Sequence, residues 1–308
     1  MRHAIVFFLA ASVAAAGSIN YSYDSAGRLT KVDYGNGSVV TYTYDKAGNL
    51  LSRASASTGG PVISSVTTAY AGPEIAQNTW IVIKGSNLVP ADTPASGVIW
   101  NDAPDFATGN LPTQLHGISV TVNNRPAFVY FYCSAATDPS CASDQINALT
   151  PLDSTTGQVP VIVTNGSASS VPFSATMKTI APSFLLFSTQ GYIVATHTDY
   201  SLIGPANLYP GKSTPAKTGE TIAAYAVGFG LPNGTLTNGS SSQSGSLPAL
   251  PVCKIGWNNA ALAFAGLVSP GLYQLNITIP PSTPSGDNPI SCTYGGSATP
   301  SGDLITVQ

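Results

Sequence analysis

The chain has 308 residues, enough for two or three domains with real cores, and only 8% of them are charged. Its 43% hydrophobic content, with 30 Gly and 24 Pro, is the opposite of the high-charge, low-hydrophobicity signature of disorder. A formal charge of −3 with no basic stripe argues against nucleic-acid binding.

At the N-terminus Arg2 supplies a positive start, residues 4–16 form an apolar and small run, and Ala14-Ala15-Ala16 precede Gly17. This is the pattern of a secretory signal peptide over residues 1–16. The run is shorter than the ~20 residues a spanning helix needs. No later run approaches that length, so no membrane span is expected after cleavage.

Two nonapeptides follow, YSYDSAGRL (21–29) and YTYDKAGNL (42–50), identical at six of nine positions. A repeat this regular is one structural unit used twice. Tyr42 and Tyr44 alternate with Thr41 and Thr43, as in a strand with both rings on one face. Asp45 with Gly48 three residues on fits a type I turn. Asn36-Gly37 between the copies is a strong hairpin signal. Residues 20 to 53 therefore read as a four-stranded meander, within a segment spanning 17–60. YDSAGRL and YDKAGNL resemble the YD repeats of the RHS family, whose long arrays wind into β-sheet shells in bacterial surface and toxin proteins. Two copies enclose nothing, so the resemblance implies a surface setting and not the shell function.

From Pro61 a second, more diverged duplication runs to the end. TWIVIKGSNLVP (79–90) parallels ETIAAYAVGFGLP (220–232), and QINALTP (145–151) parallels QLNITIP (274–280). GISVTVNNRPAFVYF (117–131) parallels KIGWNNAALAFAG (254–266), anchored on Asn123-Asn124 and Asn258-Asn259. β-Branched runs and frequent turn signals, with no helical period, predict two Ig-like β-sandwiches at 61–180 and 181–308. Pro90, Pro112, Pro151 and Pro160 are expected at strand ends. The stretches APSFLLF (181–187), NLYPGKSTPAKTGETIAAYAVGFG (207–230) and QLNITIP resemble an uncharacterised C-terminal domain family of large secreted acidobacterial proteins. Members look like tandem IPT/TIG or Ig-like sandwiches. That resemblance implies architecture and location, and no activity.

Four cysteines in a chain with a leader suggest disulfides. Cys133 with Cys141 would pin a loop, and Cys253 with Cys292 would tie two strands. A zinc site is disfavoured, since there is no C-x-x-C pair and only three histidines. No cofactor or metal is expected.

Catalytic candidates fail on chemistry. Pro210-Gly211-Lys212-Ser213 lacks Walker A spacing and a following helix. His197 and Asp199 suggest two-thirds of a triad, but no G-x-S-x-G elbow exists, and a polar strand face is the simpler reading. Asp102 and Asp105 read as turn residues or a weak calcium site. Asn233 and Asn238, in sequons, read as Asn-Gly turns. The aromatic residues suit sugar stacking or protein contacts, with Trp100 and Tyr209 expected as exposed loop rings and Trp80 and Trp257 as core. The expectation is therefore an all-β, non-enzymatic, secreted or cell-surface protein. It would serve adhesion or bind a surface polysaccharide or an extracellular protein, with a passive spacer or assembly domain and an extracellular hydrolase as alternatives.

Overall fold

The computed structural model describes residues 19–33, 38–57, 59–101, 103–187 and 190–308. The expected leader, the Asn36-Gly37 turn and Asp102 lie outside the described residues. The protein is all-β: among the described residues the only helix is a 3-10 turn, Pro104–Thr108. Two compact units result, one ending at Gly59 and the other spanning Gly60–Gln308.

The first unit is an antiparallel meander of β1 (Asn20–Tyr23), β2 (Leu29–Asp33), β3 (Ser38–Tyr44) and β4 (Leu50–Ser57). Each YD turn closes through the same local chemistry. Gly27 N donates to Asp24 O, and Gly48 N to Asp45 O. The Asp24 carboxylate accepts from the Arg28 backbone N and Nε, and the Asp45 carboxylate accepts from the Asn49 backbone N and Nδ2. Both glycines hold left-handed φ, +77° and +93°, which a Cβ would strain. Arg28 also locks the copies together, donating to Asp45 O at 3.1 Å and lying 4.9 Å from the centre of the Tyr44 ring.

The second unit contains two sandwiches. In the first, one sheet runs Val62–Thr68, Trp80–Ser86, Asp144–Leu149, Phe128–Cys133 and Val98–Ile99. The facing sheet centres on Ile118–Val122, Gly157–Asn165 and Phe173–Lys178. Strict alternation buries Ile118, Val120 and Val122 against Ile81, Ile83 and Ile146 between the sheets. In the second sandwich Thr221–Val227 pairs with Leu272–Thr278, which pairs with Asn258–Ser269. The start of that long strand also pairs with Val252–Ile255, which pairs with Gly286–Tyr294. Phe184, Phe229, Tyr273, Leu275 and Ile290 fill this core.

Equivalent pairings make the duplication explicit and correct its anchor. Val122 pairs with Arg125 across a two-residue turn, Asn123-Asn124, with φ of +50° and +61°. Ile255 pairs with Asn258 across Gly256-Trp257, so Asn258-Asn259 begin the next strand and are not the turn. Two left-handed asparagines fit one primed hairpin turn, and glycine at the first central position fits the other. Pro160 also departs from expectation, since it lies inside Gly157–Asn165. Its carbonyl accepts from Asn123 N, so its missing N–H points to the same side, past the last paired residue Val122.

Cys133–Cys141 and Cys253–Cys292 are disulfides, with Cα atoms 6.3 and 4.0 Å apart. The second joins directly opposed residues of adjacent strands.

A seam joins the two sandwiches. Leu111 N donates to Gly239 O at 2.7 Å, Ser241 N to Gly109 O at 2.8 Å, and Leu152 N to Asn238 Oδ1 at 2.8 Å. Trp80 Nε1 donates to Pro270 O at 3.0 Å. Leu111, Phe128 and Leu149 are buried beside it with Trp80, Trp100 and Phe106.

Candidate functional site

Of the rings named from sequence, Trp100 and Trp257 fall differently from expectation. Trp100 is not a free loop ring. It is half-buried, 5.6, 5.4 and 5.0 Å from the ring centres of Trp80, Phe106 and Tyr130. Tyr209 is 37% exposed and stands edge-on to Phe187 at 5.4 Å. Trp257, expected in the core, is 98% exposed. The strand-like reading of KIGWNN failed because Gly256 turns the chain immediately before the ring.

The chemistry concentrates on the outer face of the second sandwich, in a groove of about 210 Å³. Its floor is two paired strands in register: Tyr225 opposite Gln274, Ala223 opposite Asn276, and Thr221 opposite Thr278. Alternation turns Ile222, Ala224, Leu275 and Ile277 into the core, which leaves these polar and aromatic side chains outside. Gln274 Nε2 donates to Asn276 Oδ1 at 2.7 Å, so two amides act as one rigid donor–acceptor pair. Ala223 keeps the floor low beside them.

The rim is the turn at 197–201. His197 N donates to Ser201 O, and Tyr200 N to His197 O. Asp199 caps this turn, its Oδ1 accepting from Ser201 N and Oγ, and these bonds hold its carboxyl below the usual carboxylate range. Asp199 is thus a turn-former, and the ring nitrogens of His197 bond elsewhere. His197 Nδ1 instead lies 2.6 Å from Glu220 Oε1, and its Nε2 lies 3.0 Å from Thr214 Oγ1 and 3.3 Å from Thr214 O. Both side chains of the His197–Glu220 pair are mostly buried. Tyr200 has φ +67° and is 81% exposed. A bulky residue in the left-handed region costs about 1–2 kcal/mol, which the fold does not recover by burying the ring.

The first copy repeats the amide pair but not the rim. Gln145 Nε2 donates to Asn147 Oδ1 at 2.9 Å, while Ala71 N donates to Thr68 O as Tyr200 N does to His197 O, so the exposed Tyr70, with φ +62°, takes the place of Asp199. There Lys84 stands opposite Gln145 and Val82 opposite Asn147, in place of Tyr225 and Ala223. The Gln-x-Asn motif was visible in sequence as a repeat marker. The tyrosine rim was not, because its left-handed backbone has no glycine to announce it.

Other sequence candidates are structural. Lys212 N and Ser213 N both donate to Tyr209 O, closing the 210–213 loop before a strand. Asp105 sits in the 3-10 turn, and Asn238 serves the seam. No group of three or more metal-ligating side chains occurs among the described residues. No helix among the described residues is long and apolar enough to cross a membrane.

Residues 23–59 match the RHS Repeat family, a stretch that takes in the meander from the end of its first strand onward. No curated protein matches the chain. Among solved structures, the chain is similar to SGBP-B of a Bacteroides ovatus mixed-linkage glucan utilization locus, solved with mixed-linkage heptasaccharide. That match has TM-score 0.31 and 9% identity, over 88% of this chain and 52% of the other. SGBP-B from a complex xyloglucan utilization locus in Bacteroides uniformis matches at TM-score 0.22 and 15% identity, over 80% of this chain and 49% of the other. The titin Ig tandem A164-A165 matches at TM-score 0.19 and 10% identity, over 81% and 96%. The chain spans about half the length of the two SGBP-B proteins.

Proposed function

We propose that the chain is an extracellular, non-enzymatic module that binds carbohydrate in the groove beside Tyr200. One observation carries the reading: an exposed tyrosine held in a costly backbone conformation overhangs a rigid amide pair and Tyr225. Sugars present hydroxyl rims and apolar ring faces. Amides that both donate and accept suit the rims, and aromatic faces suit the rings. Two disulfides support an oxidising compartment, as does the resemblance of residues 61–308 to domains of secreted proteins.

The test is a screen of neutral and acidic polysaccharides on the folded, disulfide-bonded chain, by affinity electrophoresis and calorimetry. A glycan should bind, and Tyr200→Ala or Gln274→Ala should weaken it roughly tenfold or more, about 1.4 kcal/mol. Variants that bind that glycan as well as wild type would remove the groove from the reading.

The spacer alternative is favoured by the seam, which fixes one sandwich on the other. It expects no glycan affinity at all. The hydrolase alternative would use Thr214, His197 and Glu220 as a relay. His197 Nε2 sits between the Thr214 hydroxyl at 3.0 Å and the Thr214 carbonyl at 3.3 Å, and neither Thr214 nor Glu220 lines the groove, which suits a structural clasp better. Turnover of ester or glycoside substrates that disappears in His197→Ala would reverse that judgement.

A further inference from the structure

We propose that Trp257 is a second carbohydrate-stacking site, separate from the groove, and that it takes the pyranose face of a neutral polysaccharide. The two copies of the duplicated hairpin make the case. In the first copy the leading turn residue, Asn123, is committed to the fold, its Nδ2 donating to Asp153 Oδ2 at 2.7 Å and to Thr155 Oγ1 at 3.1 Å, while the second turn residue, Asn124, is an exposed amide. In the second copy Gly256 takes the leading place, and the exposed place of Asn124 carries a tryptophan that is 98% exposed. An indole left entirely in water forgoes roughly 2 kcal/mol or more of burial, so folding does not account for its presence there.

The tip is built to hold its aim. Gly256, with φ +58°, donates its N–H to Pro289 O at 2.7 Å. The Cys253–Cys292 disulfide staples the supporting strands just behind the turn, where Cys253 faces Cys292 and Ile255 faces Ile290. Asn258 Oδ1 accepts from Ser282 Oγ at 3.0 Å, which fixes the amide next to the ring. A ring on so braced a turn loses little conformational entropy when a ligand stacks on it.

The surroundings select the ligand class. Asn258, Asn259 and Ser282 are neutral hydrogen-bonding groups, and Lys254 is the one cation on the hairpin. An anionic membrane surface calls for clustered cations, and a protein hot spot calls for an apolar setting around the aromatic anchor. A single flat ring bordered by amides and a hydroxyl instead matches a neutral sugar, with its apolar face on the indole and hydroxyls at the edge. Both this site and the groove concern glycans, but their side chains are disjoint, so either can fail alone.

The experiment titrates the full chain with soluble mixed-linkage glucan, xyloglucan and galactomannan, reading tryptophan emission and acrylamide quenching. Trp80 and Trp100 are half-buried and Trp257 is 98% exposed, so Trp257 dominates the quenchable signal, and Trp257→Phe supplies the background of the other two. The expected result is protection of that signal by at least one polysaccharide. Trp257→Ala should lose roughly tenfold in affinity and Trp257→Phe much less, with Gln274→Ala still showing the protection. The proposal falls if Trp257→Ala binds every polysaccharide like wild type, or if none of the three protects the ring. Protection by neutral lipid vesicles and not by polysaccharide would likewise overturn it, in favour of a membrane.

Discussion

Asp303 is a buried residue whose carboxylate Oδ2 meets no hydrogen-bond partner among the described residues, although its backbone carbonyl accepts from Ile290 N. Burial raises its pKa to about 6. The unfolded value is about 3.9, so the native state holds the proton more tightly. Below pH ~4 both states are protonated and the group is neutral in its effect. As pH rises from about 4 through 6 stability falls, and the full penalty stands above that window. Asp303→Asn should therefore raise the melting temperature at pH 7.5 by several degrees, a gain of about 3 kcal/mol, and change it little at pH 4. Equal shifts at both pH values in thermal melts would show that charge burial is not the cause. Trp257 and Trp100 teach a related lesson about legibility. Composition tells which rings exist, but one glycine of left-handed φ exposes the first, and neighbours 20 to 30 residues away cover the second. Those distant partners are invisible to a local pattern.

At the level of elements, the YD meander was legible because its instructions are local: aspartate and glycine at the ends of a four-residue turn, and alternating strands between. The link between the copies was not local. Arg28 reads as a variable position of the repeat, yet it bonds Asp24, reaches Asp45 O and covers Tyr44. Lysine retains a charge but not the planar fork. Arg28→Ala should cost the meander about 1 kcal/mol, the surface pair with Asp24 counting for little of it. Arg28→Lys should recover only part. Amide hydrogen exchange over residues 29–33 and 50–54 would report this. Unchanged protection in Arg28→Ala would mean that the strand ladders alone set stability there. In the larger unit the repeat order was readable, while its anchor slipped by two residues, because Asn-Asn is a turn in one copy and a strand start in the other.

For the molecule as a whole, the decisive feature is the seam, and nothing in sequence announced it. Its bonds join residues 86 to 190 positions apart, through Leu152 with Asn238 and Trp80 with Pro270. The Asn238-Gly239 turn reads as a surface corner, yet a Cβ on Gly239 would lie 2.5 Å from the Phe128 ring, and φ there is +72°. Tandem domains tied only by a linker move independently, whereas here one sandwich is clamped to its neighbour by backbone and side-chain hydrogen bonds. Gly239→Ala should displace Phe128 and destabilise the seam by about 1–3 kcal/mol without touching either core. Calorimetry should then resolve one cooperative transition of residues 60–308 into two. If Gly239→Ala still melts as a single unit at the wild-type temperature, the seam is a passive contact, and the two sandwiches owe their coupling to something else.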